Sequence, residues 1–206
     1  MRGEKGVALT KTIKSVFILS VVIAINVGCA TGPLVKNPQI SRSNLPQKYL
    51  IEGVPIYRQG FEECGPTSLQ MVMNFYGKNL TKEAISEWIL RTKGTTYTEM
   101  EFFARKEKFE VHSFYDSTKE KMKYLMAQGY PLIALGVRPP NWPAGRYTGS
   151  GHYIVVVGYD DRDKLFSVHD PATGGKYKIP YEVFKDFHSS HPQQRNYVLC
   201  IYPKAN

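Results

Sequence analysis

The chain has little cysteine, no apolar run long enough to cross a membrane, and a shortage of acidic residues. Its three cysteines in 206 residues, at 29, 64 and 200, lack the paired spacing of a structural zinc site. The apolar run VFILSVVIAI covers ten residues from Val16 to Ile25, and a membrane-spanning helix needs about 20. There are 18 Asp plus Glu against 27 Lys plus Arg, a net charge of +9. That excess names no partner by itself. RGG runs, zinc-finger spacing and basic–aromatic alternation are all missing, so no nucleic acid is expected. No internal repeat and no second low-complexity stretch mark a further domain. With 42% hydrophobic and 13% aromatic residues, the chain predicts one domain with an ordinary core and excludes a disordered basic tail.

The amino end reads as a targeting segment. Arg2, Lys5, Lys11 and Lys14 stand against the single acid Glu4, ahead of the apolar run and then a polar, proline-containing stretch. A buried amino-terminal strand would not need the basic run before it. Gly28 directly before Cys29 resembles the lipidation box of bacterial lipoproteins, in which Cys29 becomes the acylated first residue. Asn26 stands where that box has an aliphatic residue, so ordinary signal cleavage and a retained anchor are the alternatives. On the lipoprotein reading residues 1–28 are a signal peptide and residues 29–53 a lipidated, flexible tether. Cleavage before Cys29 removes four bases and one acid, and the net charge falls from +9 to +6.

The domain expected over residues 54–206 changes character at Tyr130. Before it, the spacing predicts helices over Thr67–Tyr76, after a Thr81 cap, over Thr98–Lys106 and over Thr118–Gln128. After it, YPLIALGV, HYIVVVGY, KLFSVHD and NYVLCIY read as strands separated by turns. Helices followed by an antiparallel sheet predict an α+β fold with segregated elements. Asp160 and Asp161 belong to the turn GYDDRDK, and residues 138–151 form a long loop in which Trp142 and Tyr147 are candidates for a substrate wall.

The candidate chemistry is spread over separate motifs. Cys64, in EECGPTSLQM, opens the most apolar helix, where unsatisfied amides and the helix dipole favour a thiolate. A bland residue at a helix start is the plain alternative. His152 sits at a loop–strand junction beside Gly151, placed to serve as base to a thiol. Asp170, in VHDPATGG, lies 18 residues further on and can hold the imidazole tautomer, or simply shape the turn before Pro171. Gln59 is the leading side-chain donor for an oxyanion, with the Cys64 amide as the second donor. Glu62 and Glu63 read as acids favouring a helix start, Cys200 as a buried sheet residue, and the histidines of HSSH at 188–191 as a polar surface loop.

CGPTSLQM, then GHYIVVVGYD, then VHDPATGG resemble the papain-like cysteine peptidases that trim double-glycine leaders from bacteriocin precursors, and especially their free-standing relatives. The resemblance covers roughly residues 54–202. It implies a papain-like fold, with amino-terminal helices packed on a carboxy-terminal antiparallel sheet. It also implies Cys64 as nucleophile, His152 as base, Asp170 as orienter and Gln59 near the oxyanion. The family glutamine stands six residues before the cysteine, and Gln59 stands five before Cys64. The expected activity is peptide-bond hydrolysis through a thioester, with no cofactor and no metal. The expected partners are a peptide or protein substrate and a bacterial membrane reached through lipidated Cys29, the protein being a monomer on the extracytoplasmic side, or secreted if Cys29 carries no lipid. Two other readings share the sequence: a cell-wall amidase or acyltransferase of the same geometry, and a lipoprotein that only binds peptides.

Overall fold

The apolar stripe after Cys64 does become the central helix. A computed structural model of the chain describes residues 36–90, 94–143, 145 and 149–204, and the expected signal peptide, Cys29 and Tyr147 lie outside them. Helix α1 spans Cys64–Phe75 and buries Leu69, Met71, Val72 and Met73. Helix α2, Lys82–Ile89, begins at the expected cap, with the Thr81 hydroxyl accepting the Ala84 N–H at 3.2 Å. Helix α3, Tyr97–Lys106, starts one residue before Thr98 because Thr96 and Glu99 form a reciprocal capping box. Helix α4, Lys119–Ala127, is capped by Thr118. A fifth helix, α5, covers Tyr181–Ser189.

The strands are β1 (Lys48–Leu50), β2 (Phe109–Phe114), β3 (Leu132–Gly136), β4 (His152–Asp160), β5 (Leu165–Asp170), β6 (Gly175–Pro180) and β7 (Val198–Pro203). They form one seven-stranded sheet in the order β2-β7-β3-β4-β5-β6, with β1 beside β4, and every pairing is antiparallel. The fold is therefore α+β. Its order is less segregated than expected, because β1 precedes the first helix, β2 lies between α3 and α4, and α5 lies between β6 and β7.

Strand β4 organises the molecule. All nine of its residues are buried, as a strand covered on both faces requires. Its first half pairs with β3 and its last three residues with β1, which takes over the same edge. Gly158 permits this, since a Cβ there would lie 2.5 Å from the Tyr49 carbonyl oxygen. The β4–β5 turn is held as expected by Asp160, whose carboxylate accepts the Arg162 N–H at 3.1 Å. Part of the stretch expected as a tether, residues 29–53, packs onto the domain. Gln128 Oε1 accepts the Asn37 N–H at 2.9 Å, Lys48–Leu50 belong to the sheet, and Ile51 is buried.

This topology sets the amino end of α1 against the amino end of β4 and the carboxy end of β5. Continuing the Val155–His169 register by one residue puts Asp170 opposite Ile154, on the sheet face that also carries His152.

Candidate active site

Cys64 is the first residue of α1, so its backbone N–H is among those that find no partner inside the helix. His152 is the first residue of β4 and is buried. The two side chains meet by hydrogen bond, with the backbone N–H groups of Gly65 and Tyr153 also directed at the sulfur. The other end of the imidazole is held firmly: His152 Nε2–H donates to Asp170 Oδ1 at 2.8 Å. Because Asp170 occupies Nε2, Nδ1 is the ring nitrogen left for the thiol.

Asp170 has no exposed surface. Its Oδ1 also accepts the Ala172 N–H at 2.9 Å, and its Oδ2 accepts Trp142 Nε1–H at 2.9 Å. Three donors therefore converge on one buried carboxylate, which is how such a group stays ionised away from water. Burial alone would raise its pKa, but the His152 bond and charge, Trp142 and Ala172 outweigh it and hold the carboxyl below its ordinary range.

The same competition sets the other two groups. Burial opposes the Cys64 thiolate, yet the His152 hydrogen bond and charge and the two backbone N–H groups pull its pKa below the ordinary value. Burial opposes the imidazolium, yet hydrogen bonds and charge from Asp170 and Cys64 push His152 up to about 9. Both shifts favour a thiolate–imidazolium pair at neutral pH.

Cys64 and His152 open onto a cleft of about 580 Å³, lined also by Gln59, Phe61, Tyr97 and His191 among others. Gln59 reaches it from a tight loop. Its backbone N–H donates to the Pro171 carbonyl at 2.8 Å, and its side-chain Nε2 donates to the Gly60 carbonyl at 3.2 Å, leaving a second amide hydrogen. The loop is closed by Glu63, whose carboxylate accepts the Gly60 N–H at 2.7 Å and pairs with Lys82 at 2.7 Å. A side chain on Gly60 would collide with that carboxylate, at 2.3 Å.

The pattern of the Peptidase_C39 like family matches residues 51–198, which contain all of these groups. The chain belongs to that family. It is a cysteine peptidase of papain-like fold. Xylellain, a cysteine protease from Xylella fastidiosa, superposes with a TM-score of 0.63 at 14% identity over 80% of this chain and 88% of its own. A C39-like peptidase from Bacillus anthracis gives 0.60 at 17%, over 77% of this chain and 99% of its own. A double glycine motif protease from an AMS/PCAT transporter, solved with its leader peptide, gives 0.54 at 23%, over 76% and 99%. At these identities the likeness is one of fold. Among curated proteins none matches the sequence.

Two expectations about the peptidase change. Trp142 is not a substrate wall: it is buried, stacked on Phe187 at 4.7 Å, and gives its N–H to Asp170. An indole buried this deeply needs an acceptor, and the carboxylate supplies it. Glu63 stands directly before α1, as an acid at a helix start, and its carboxylate turns back to Gly60 and across to Lys82. HSSH is not simply a polar surface loop either. His188 is buried in α5 with its Nε2–H donating to the Tyr197 carbonyl at 3.1 Å, while His191 lines the cleft. The sequence signal for His188 was its place in YEVFKDFHS, in register with Phe184. Cys64 and Cys200 are both free thiols, and Cys200 is buried with its pKa pushed up to about 12.

Proposed function

We propose that this peptidase cleaves peptide bonds with Cys64 as nucleophile, His152 as acid and base, and Asp170 as the group that orients His152. The observation that carries the reading is the line from the Cys64 sulfur through the imidazole to the buried, triply bonded Asp170. In the first step the Cys64 thiolate bonds to the scissile carbonyl carbon and the oxygen takes the negative charge. The Cys64 N–H and the Gln59 amide are the donors for that oxygen. Collapse of the adduct breaks the C–N bond while the imidazolium gives its proton to the departing amine. Neutral His152 then takes a proton from water, hydroxide adds to the thioester, and the acid product leaves as the thiol reforms.

The substrate on this reading is a peptide, a proposal supported by the leader peptide held by the double glycine motif protease of similar fold. We also propose that lipidated Cys29 tethers the enzyme outside the cytoplasmic compartment, on the strength of the basic, apolar and small-residue order that precedes it.

Both parts are tested on the full chain. Digestion of a peptide library, read by mass spectrometry, is expected to proceed with the native chain and to cease with Cys64→Ala while the circular dichroism spectrum is unchanged. Full turnover by Cys64→Ala would overturn the mechanism. Intact mass of the chain extracted from membranes is expected to show acyl groups on a polypeptide beginning at Cys29, and an unmodified amino terminus would overturn the anchor.

A further inference from the structure

The segment following α5 places a second histidine in the cleft. His191 Nδ1 accepts the Gln194 N–H at 3.1 Å and the Gln193 N–H at 3.4 Å. Two backbone donors on Nδ1 put the ring proton on Nε2, since neutral imidazole has one donor and one acceptor nitrogen. Nε2 lies over Gly151, the residue before His152, only 2.9 Å from where a Cβ would stand, and no acceptor engages it among the described residues. Gly151 thus makes room for His191. Leu135 closes the slot from below, its side chain 3.6 Å from the same Cβ position.

The segment carrying this donor is fixed at both ends. Ser190, just before it, accepts the Val137 N–H at 3.2 Å on its hydroxyl, whose proton goes to the Phe187 carbonyl at 2.7 Å. Gln194, just after it, donates from Nε2 to the Tyr97 hydroxyl at 3.3 Å, a bond from this loop to α3. Burial lowers the pKa of His191, so the ring is neutral at pH 7. A single, pre-positioned N–H fits a single acceptor, and an extended peptide offers a main-chain carbonyl at every residue whatever its side chains.

We infer that His191 Nε2–H is a substrate-binding donor, holding a main-chain carbonyl of the peptide beside Gly151 while Cys64 attacks a neighbouring residue. This deepens the peptidase reading and rests on it. His191 takes no proton in the reaction. Its contribution is affinity and register, so it acts on reagents that carry a peptide and not on small ones.

The test compares two thiol reagents on the full chain: a peptidyl vinyl sulfone and iodoacetamide, with labelling mapped to Cys64. His191→Phe keeps the bulk over Gly151 and removes the donor, and His191→Gln keeps a donor. The peptidyl rate is expected to fall about fivefold to tenfold with phenylalanine, the value of one lost neutral hydrogen bond, and to stay within about twofold with glutamine. The iodoacetamide rate is expected to be unchanged in both, which also reports that the site is folded. An unchanged peptidyl rate in His191→Phe, or equal slowing of both reagents, overturns the inference alone. A native chain in which Cys64 reacts no faster than Cys200 with either reagent overturns the peptidase reading and this one with it.

Discussion

At the scale of single residues the site is a contest between burial and partners, and the winner differs by group. Desolvation would neutralise Cys64, His152 and Asp170, but each meets the charge of the next, and the pair nearest the substrate is held ionised. On the proposed mechanism peptide cleavage needs both charges, and kcat/KM is expected to rise as the thiol ionises below its ordinary 9.0 and to fall as His152 loses its proton near 9. Alkylation by iodoacetamide needs only the thiolate, so it should show the acidic limb without the alkaline fall. Asp170→Asn separates the causes. With the carboxylate charge gone, only Cys64 still opposes burial at His152, and the alkaline limb is expected to move from about 9 to lower pH. An alkaline limb that stays near 9 in this variant would show that Asp170 does not set the charge of the imidazole.

At the scale of elements the loop from Gln59 to Glu63 decides where Gln59, the proposed oxyanion donor, sits. Gln59 stands five residues before Cys64, and the structure closes the short loop between them with the Glu63–Gly60 bond and the Lys82 pair. Lys82 belongs to α2, so α2 holds the loop as well as covering α1. Lys82→Met is expected to lower kcat about threefold to tenfold with KM little changed, the effect of loosening one charge-assisted contact. A peptide aldehyde, whose adduct mimics the oxyanion, should lose affinity in parallel, and a change confined to KM would argue against the clamp. This part of the site was hidden in the sequence because Glu63 looks like any acid before a helix. Other elements were legible for stated reasons: Thr81 and Thr118 stand directly before apolar stripes, and the runs YPLIALGV and HYIVVVGY are too β-rich and too bounded to be helices. Strand β2 was not, since only Phe109 and Val111 of FEVHSF are buried and its partner β7 lies about 90 residues away. Strand β6 alternates lysine with other residues, as an edge strand does, and so shows little apolar signal. Cys64, His152 and Asp170 stood out because each begins or ends an element. Trp142 stood in a proline-rich loop where nothing local reveals what its N–H reaches.

At the scale of the whole molecule the five histidines divide four to one, and the division fixes how stability depends on pH. His152 is raised, so by itself it contributes stability below 6.5 that is lost as pH rises through about 9. Cys64 is lowered, so by itself it contributes stability above 9.0 that is lost as pH falls through its folded value. Above the folded Cys64 value, and between 6.5 and 9, the two cancel in proton count: the folded pair keeps its one proton on the imidazole, and the unfolded pair keeps it on the thiol. In that window the Cys64–His152 pair adds little slope. His112, His169, His188 and His191 are all lowered, burial being the leading cause in each. Each takes up its proton at lower pH in the folded chain than in the unfolded chain, so acidification below 6.5 favours unfolding. His188 is the strongest case, lowered to about 4 and almost wholly buried between α5 and the Tyr197 carbonyl. From pH 6.5 to pH 5 it alone is expected to remove about 2 kcal/mol, at about 1.4 kcal/mol per unit. Urea unfolding of the native chain and of His188→Gln at the two pH values checks this, because glutamine can still donate to Tyr197 but does not titrate. The variant should lose about 2 kcal/mol less than the native chain over that interval. Equal losses would place the acid sensitivity in the other three histidines or in the carboxylates, of which Asp170, lowered below its ordinary 3.8, acts only at still lower pH.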